Sequence, residues 1–491
     1  RNEYVNVDIL SSRMYSVATK ENNIINLRRK IYMKRKVVSM LLVTSMLATL
    51  ITGCGSTDTK DSADASTTDN TVSAGTETAT VSEGGSDEVG TPFSDTVKIS
   101  LMNSKPEITD ALEAGAETFG KEYNVDIEIY ETDSPGDTIS QKYAAGDAPT
   151  IAILDLANVR DLAGDKILDL SNEKWCEVGG STMGGIVDGK VYGMPLTVEG
   201  MCILYNKTAI EDLLGKEFVA EDYTTLDEFS ALLDELKAAG METPFVLNAE
   251  DWSIGQKGYQ FIYDYQDGTE EGAMQFLNDV HDGKTTFEDN DVFNKVYDAF
   301  DLFIENNINK DDPLAADYDL NASYVAEGDA AFWLNGTWAW PDFEPYAVDG
   351  NEYDVMPFPI NDQEGSQGKI VAGATKFAVV DAVDSSEEQQ EAAKMFLNWL
   401  VFTDEGQDTL INQCGMVTAF TNISLEPNNP FNVGLKRYID NGMTIDGANY
   451  MPSDHRSVLA ANMQAYLDGK MTRQEIAEKL DEYWTTNTPV K

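Results

Sequence analysis

VKISLM, Val97 to Met102, is followed by apolar residues at helical spacing from Ile108 to Tyr123, then by VDIEIY, Val125 to Tyr130. After a further helical stretch comes TIAIL, Thr150 to Leu154. Strand-like runs alternating with amphipathic helices read as β-α-β-α-β, an order that needs crossover connections and gives parallel strands. The expected fold class is therefore α/β. In open sheets of this class, ligands gather beyond the carboxyl ends of the strands. That rule selects Asn103-Ser104-Lys105-Pro106-Glu107 after the first strand, and Asp155 after the third.

Downstream, Thr225-Leu226-Asp227-Glu228 is a capping box that should open a helix running to Ala239. Phe245 to Leu247, Ala330 to Leu334 and Lys376 to Val380 read as strands, Asp291 to Asn306 reads as a helix, and the C-terminal third is mainly helical. A folded part of roughly 400 residues is enough for two domains, so two α/β lobes are expected. More candidates sit in loops: Glu199 after Pro195, Glu250 and Trp252 in NAEDW, and Trp338 in NGTWAW. Carboxylates, amides and a lysine beside indole rings suit a sugar, because planar hydrogen-bonding groups match vicinal hydroxyls and an aromatic face covers a pyranose C–H patch. The competing reading makes Trp333, Trp338 and Trp340 core residues and the carboxylates a solvated rim.

Upstream lies MKRKVVSMLLVTSMLATLITGC, from Met33 to Cys54. A basic cluster, an apolar run shorter than the ~20 residues of a membrane span, and a small-residue box before Cys54 read as a lipoprotein signal peptide over residues 33–53. Cys54 would then carry the lipid and tether the protein to the outer face of the cell membrane. Residues 1–32 have no role ahead of such a signal and are read as a start-site artefact. Residues 54–93, almost all small and polar at first, bury too little apolar surface to order themselves and read as a linker.

The formal charge of −50 excludes electrostatic binding of nucleic acid or of an anionic membrane. Beyond Cys54 the cysteines are Cys176, Cys202 and Cys414. An odd set without ligand spacing implies no zinc site, and leaves open one disulfide or free thiols. No His-Glu-x-x-His, Gly-x-Ser-x-Gly or Walker sequence is present, so no catalytic residue is assigned. Gly179 to Gly185 lacks a phosphate-binding lysine and reads as a loop. Asp317-x-Asp319-x-Asn321 lacks the glycine and glutamate of a calcium loop. Neither metal nor cofactor is expected.

Several segments together resemble the extracellular solute-binding proteins of ABC importers, in the carbohydrate-binding branch that includes maltodextrin-binding proteins. They are Ala144 to Pro149, Asp188 to Pro195 continuing to Leu204-Tyr205-Asn206-Lys207, Glu327 to Ala331 leading to Asn335-Gly336-Thr337-Trp338, and Phe402 to Gly406. The resemblance implies two lobes that share the chain through three crossings, near Val198, Asp362 and Met416. It implies residues 94–197 plus 364–415 for the first lobe and 198–363 plus 416–491 for the second. It also implies ligand roles for Lys105, Glu107, Asp155, Glu199, Glu250, Trp252 and Trp338, with Trp340 packed behind. Tryptophans typical of maltodextrin binders are missing where Ile153-Leu154-Asp155 and Ser453-Asp454-His455-Arg456 stand. Lys105 and Glu107 with Asp454 and His455 look more like the raffinose-type α-galactoside binders. The implied function is capture of an oligosaccharide by lobe closure, and delivery by a monomer to permease subunits driven by a separate ATPase. A maltodextrin binder of the same fold is the alternative. A tethered glycan-acting enzyme or a surface glycan adhesin is the alternative of another class.

Overall fold

A computed structural model describes residues 89–447 and 450–490. The signal segment, Cys54 and most of the expected linker lie outside the described residues. The end of that linker is corrected: Val89 is buried in the first core, and Phe93 bonds Tyr123 through its amide.

Strand β1 (Val97–Asn103) pairs in parallel with β2 (Val125–Glu131) and with β3 (Ile151–Leu154), as β-α-β-α-β connectivity requires. The short helix Gly180–Met183 occupies the stretch expected to be a loop and leads into β4 (Gly185–Val187). Strand β5 (Lys190–Asn206) is 17 residues long and almost wholly buried. Strands β6 (Phe245–Val246), β7 (Phe332–Gly336), β8 (Tyr353–Met356), β9 (Ile370–Val380) and β10 (Thr444–Asp446) complete the set. The main path runs β2-β1-β3-β9-β5-β7-β6, so β9 and β5 join a first group of strands to a second.

The apolar cores divide at these two strands. Met194 and Leu196 on β5, with Ala378 and Val380 on β9, pack with β1 and with the helix Glu387–Phe402. Ile203 and Tyr205, with Val371, pack instead among Phe229, Phe300, Phe303 and Trp484. On β5 the changeover falls between Leu196 and Val198, where the register with β9 slips on both sides of Thr197. Such bulges bend a strand and re-aim its side chains. On β9 the changeover lies between Ala372 and Ala374. The chain therefore leaves the second core later than Asp362, because Ile370, Val371 and Ala372 fill that core as the entering end of β9. Near Met416 the segment weaves, with Met416 and Phe420 in the first core, and Val417 and Ala419 in the second.

Local sequence explains the long helices. Thr225 and Glu228 cap the helix Leu226–Ala239 reciprocally, and Gly240, in the left-handed region, ends it. Along Asp291–Asn306 the residues Val292, Phe293, Val296, Tyr297, Ala299, Phe300 and Phe303 turn inward. Asp317, the failed calcium-loop acid, instead caps the helix Tyr318–Glu327. Cys176, Cys202 and Cys414 are buried free thiols, which closes the disulfide alternative among them.

Candidate functional site

The site grows out of the loop after β1. Asn103 is fully buried; its amide donates to the Lys105 carbonyl (2.7 Å) and to Thr109 Oγ1 (2.9 Å), and its oxygen accepts from the Lys105 N–H (2.9 Å). This knot fixes Lys105, and Pro106 opens the following turn with its φ preset. Lys105 Nζ lies 2.6 Å from Glu107 Oε1 and 2.6 Å from Glu199 Oε1. Glu199 stands on β5 just past the bulge, and its other oxygen accepts from Thr375 on β9. Burial alone would lower the Lys105 ammonium, but Glu107 and Glu199 outweigh it and hold it above the usual lysine value. Burial would raise Glu199, but Lys105 and Thr375 pull it below the usual carboxylate value. Loss of either partner would leave a desolvated charge unpaired.

Asp155 precedes the helix Leu156–Leu162 and takes Lys376 Nζ at 2.8 Å. Its side chain is half exposed. Burial raises its carboxyl, yet Lys376, then Lys257 and Arg456, bring it below the ordinary aspartate value. Lys257 and Arg456 belong to elements of the second core, so the attraction crosses the cleft.

The opposite wall follows β6. Asn248 accepts from Trp333 Nε1 (2.8 Å) and Asn321 Nδ2 (3.1 Å) and donates to Ser253 Oγ (2.9 Å). A π-helix, Asp251–Lys257, starts immediately beyond Glu250. Its wide turn is a device found at functional sites. Asp251 holds Arg456 through paired contacts, Nη2 at 2.6 Å and Nε at 3.1 Å. The Trp252 ring lies 5.8 Å from Tyr318 and 6.3 Å from Trp338, steeply inclined to both. Lys257 Nζ lies 5.1 Å over the Trp338 ring. Gly336 makes that ring position possible, since a Cβ there would collide with the Trp338 indole. Glu250 Oε2 is buried without a partner, and burial, with Asp317 and Asp251 nearby, holds its carboxyl above the usual glutamate value.

Two pockets adjoin at Trp338. One is lined by Lys105, Glu107, Thr197, Glu199, Trp338 and Met416 among others, and so lies between the cores. The other is lined by Asn248, Lys257, Asn335 and Trp338 on the second core alone. Lys105, Glu107, Glu199 and Trp338 are thus brought together, Trp252 stands against Trp338, Glu250 opens the same wall, and Asp155 faces it. Trp340 packs behind, against Phe343, Tyr353 and Phe431, and Trp333 is core.

Asp454 and His455 are not part of this group. Asp454 is exposed and accepts from the Tyr483 hydroxyl at 2.6 Å. His455 is 1% exposed, with Nε2 2.9 Å from Tyr263 OH and with Tyr259, Tyr483 and Trp484 around its ring. As the first residue of the helix His455–Leu467 it turns into the aromatic core, and the next residue, Arg456, turns to the cleft. The structure thus sets Asp454 and His455 apart from the other expected ligand residues. Thr375, Lys376, Lys257 and Arg456 were missed from sequence. The signal for the first two was their position at the mouth of an expected strand, and for Arg456 its place beside the residues chosen instead.

Shared strands, a bulged crossover and polar groups converging between two α/β lobes define a binding protein. A sequence profile described as Bacterial extracellular solute-binding protein matches residues 114–433, and the chain belongs to that family. The family is one of binding proteins rather than enzymes, and its setting is outside the cytoplasm. A relative in Mesorhizobium japonicum, named "Probable sugar-binding periplasmic protein", is 24% identical over 261 residues, covering 51% of this chain and 58% of its own length. The chain thus spans little more than half of that relative. Among solved structures it is similar to RafE in complex with raffinose, at a TM-score of 0.65 and 20% identity, over 80% of this chain and 99% of that one. RafE from Streptococcus pneumoniae has also been solved in its apo form, matching at a TM-score of 0.62. A sugar transporter protein of Bacillus licheniformis in complex with stachyose matches at a TM-score of 0.63 and 20% identity, over 79% and 100% of the two chains. Likenesses at this identity establish the fold.

Proposed function

We propose that this protein captures an oligosaccharide in the cleft between its lobes and presents it, in the closed form, to the permease of an ABC importer driven by a separate ATPase. The observation that carries this reading is the meeting, at one crossover, of the Lys105–Glu107–Glu199 cluster with the inclined Trp252–Trp338 pair. Such a surface offers an apolar platform for a sugar ring beside charged groups for its hydroxyls. The raffinose and stachyose held by the structural neighbours support a sugar ligand. Other neighbours hold mannobiose and mannotriose, so the α-galactoside reading rests on the raffinose and stachyose complexes alone.

The lobes are assigned as residues 94–197 with the later part of 364–415, and 198–363 with 416–491, the second extended to Ala372 by its core. Ligand bridging both lobes would shift the population from open to closed. The protein acts as a monomer, held near its permease by lipid on Cys54, a reading that rests on the residues 33–54 signal pattern. Calorimetry on the full chain with raffinose, stachyose and maltotriose tests the proposal. Saturable binding of at least one, with tightest binding for a galactoside, is expected. No binding of any of them, nor of the acidic saccharides named below, would overturn it.

A further inference from the structure

Every other cation of the cleft is already matched by carboxylate. Lys105 holds Glu107 and Glu199, Lys376 holds Asp155, and Arg456 holds Asp251 through two bonds. Lys257 is the exception: among the described residues no carboxylate oxygen lies within 4.0 Å of its Nζ, which sits 5.1 Å over the Trp338 ring. It is partly buried, and removal from water disfavours its charge more than the distant Glu199 and Asp155 restore it. A desolvated ammonium without a counterion is costly, and an arriving anion recovers that cost.

The surroundings of Lys257 fit a carboxylate attached to a polyhydroxylated ring. It lines an open pocket with Trp338 and Asn335. Trp338 Nε1, a donor, and Asn335 Oδ1, an acceptor, are buried without partners. A charged donor, a neutral donor, an acceptor and an aromatic face then occur around one pocket. A neutral hexose would use the face and the neutral groups but would leave the ammonium uncompensated. The chain's charge of −50 repels anions at long range, but this field is screened within about 8 Å at physiological salt, so the local ammonium governs the bound state.

We infer that the Lys257 pocket takes the carboxylate of an acidic sugar, so that the preferred ligand is an oligosaccharide containing a uronic acid unit. This inference rests on the sugar-binding reading above. Calorimetry on the full chain with digalacturonate and with the neutral galactobiose, the same ring and linkage lacking the acid, tests it. The acidic disaccharide should bind at least tenfold tighter. Lys257→Gln should shrink that ratio to within threefold, and Lys257→Arg, which keeps the charge, should preserve a preference for the acid. Thermal melting checks that both variants fold; if Lys257→Gln does not, Lys257→Met replaces it. Equal or weaker binding of digalacturonate by the natural chain overturns the inference and leaves the sugar reading standing. A tenfold preference that survives in Lys257→Gln overturns the assignment to Lys257. Failure of both disaccharides, together with failure of raffinose, stachyose and maltotriose, overturns the sugar reading itself.

Discussion

The ammonium of Lys105 lies 2.6 Å from the carboxylate of Glu199, a residue 94 positions further along the chain. The contact fastens the loop after β1 to the bulged crossover of β5. Both side chains are less than a tenth exposed, so neither charge is freely compensated by water. Lys105→Met leaves Glu107 and Glu199 without their cation and should cost about 3 kcal/mol of stability, measured by urea unfolding. Glu199→Gln should cost less, because Glu107 still compensates the lysine.

The same pair sets a pH dependence at both extremes. Glu199 titrates below its ordinary value of 4.5, so its contribution is present above pH 4.5 and is lost as pH falls through the lower folded value. Lys105 titrates above 10.5, so its contribution is present below pH 10.5 and is lost as pH rises through the folded value. Glu199→Gln should flatten the acid limb of the melting temperature against pH, and Lys105→Met the alkaline limb.

Buried His455 works in the opposite sense to a paired histidine. Burial pushes it down from 6.5 to about 3, so the folded protein keeps it neutral while the unfolded chain protonates. Stability is then full above pH 6.5 and declines toward pH 3, by on the order of 4 kcal/mol. His455→Gln should flatten this decline in denaturant unfolding measured across that window. An unchanged slope would show that His455 is not the group responsible.

Trp338 and Trp252 should behave as a stacking platform. Trp338→Ala should weaken the bound saccharide by about 1–3 kcal/mol, read by calorimetry, and Trp252→Ala by a similar or smaller amount.

Gly336 offers a separate route to the same residue. A Cβ at this position collides with the Trp338 ring, so Gly336→Ala must displace the indole. It should weaken the ligand about as much as Trp338→Ala, with a shift in tryptophan fluorescence but the indole still present. Unaltered affinity would remove the Trp338 position from the site.

What could be read from the sequence follows the range of the interactions involved. β1, β2, β3 and the helix Asp291–Asn306 were legible because local apolar spacing specifies them. Glu107 and Lys105 were legible as loop residues beyond a strand end. The fate of His455 was not, because its burial depends on Tyr263 and Trp484, remote in sequence and brought in by other helices. Lys257 was hidden for a different reason: it closes a π-helix, whose wider turn breaks the i to i+4 spacing used to judge which residues share a face. The end of the linker was misjudged because a single apolar residue, Val89, sits in polar surroundings and gains its burial only from distant partners.

The division of β5 and β9 between two cores also governs the order in which the chain can fold as it is synthesised. The first core unites Val97 and Leu101 with Ala378, Phe396 and Trp399, so it cannot close until four-fifths of the chain has been made. The second core waits longer still, for Trp484. A nascent chain therefore has no finished first interior until Trp399 has emerged and no finished second interior until Trp484 has, so both interiors are completed late and in that order.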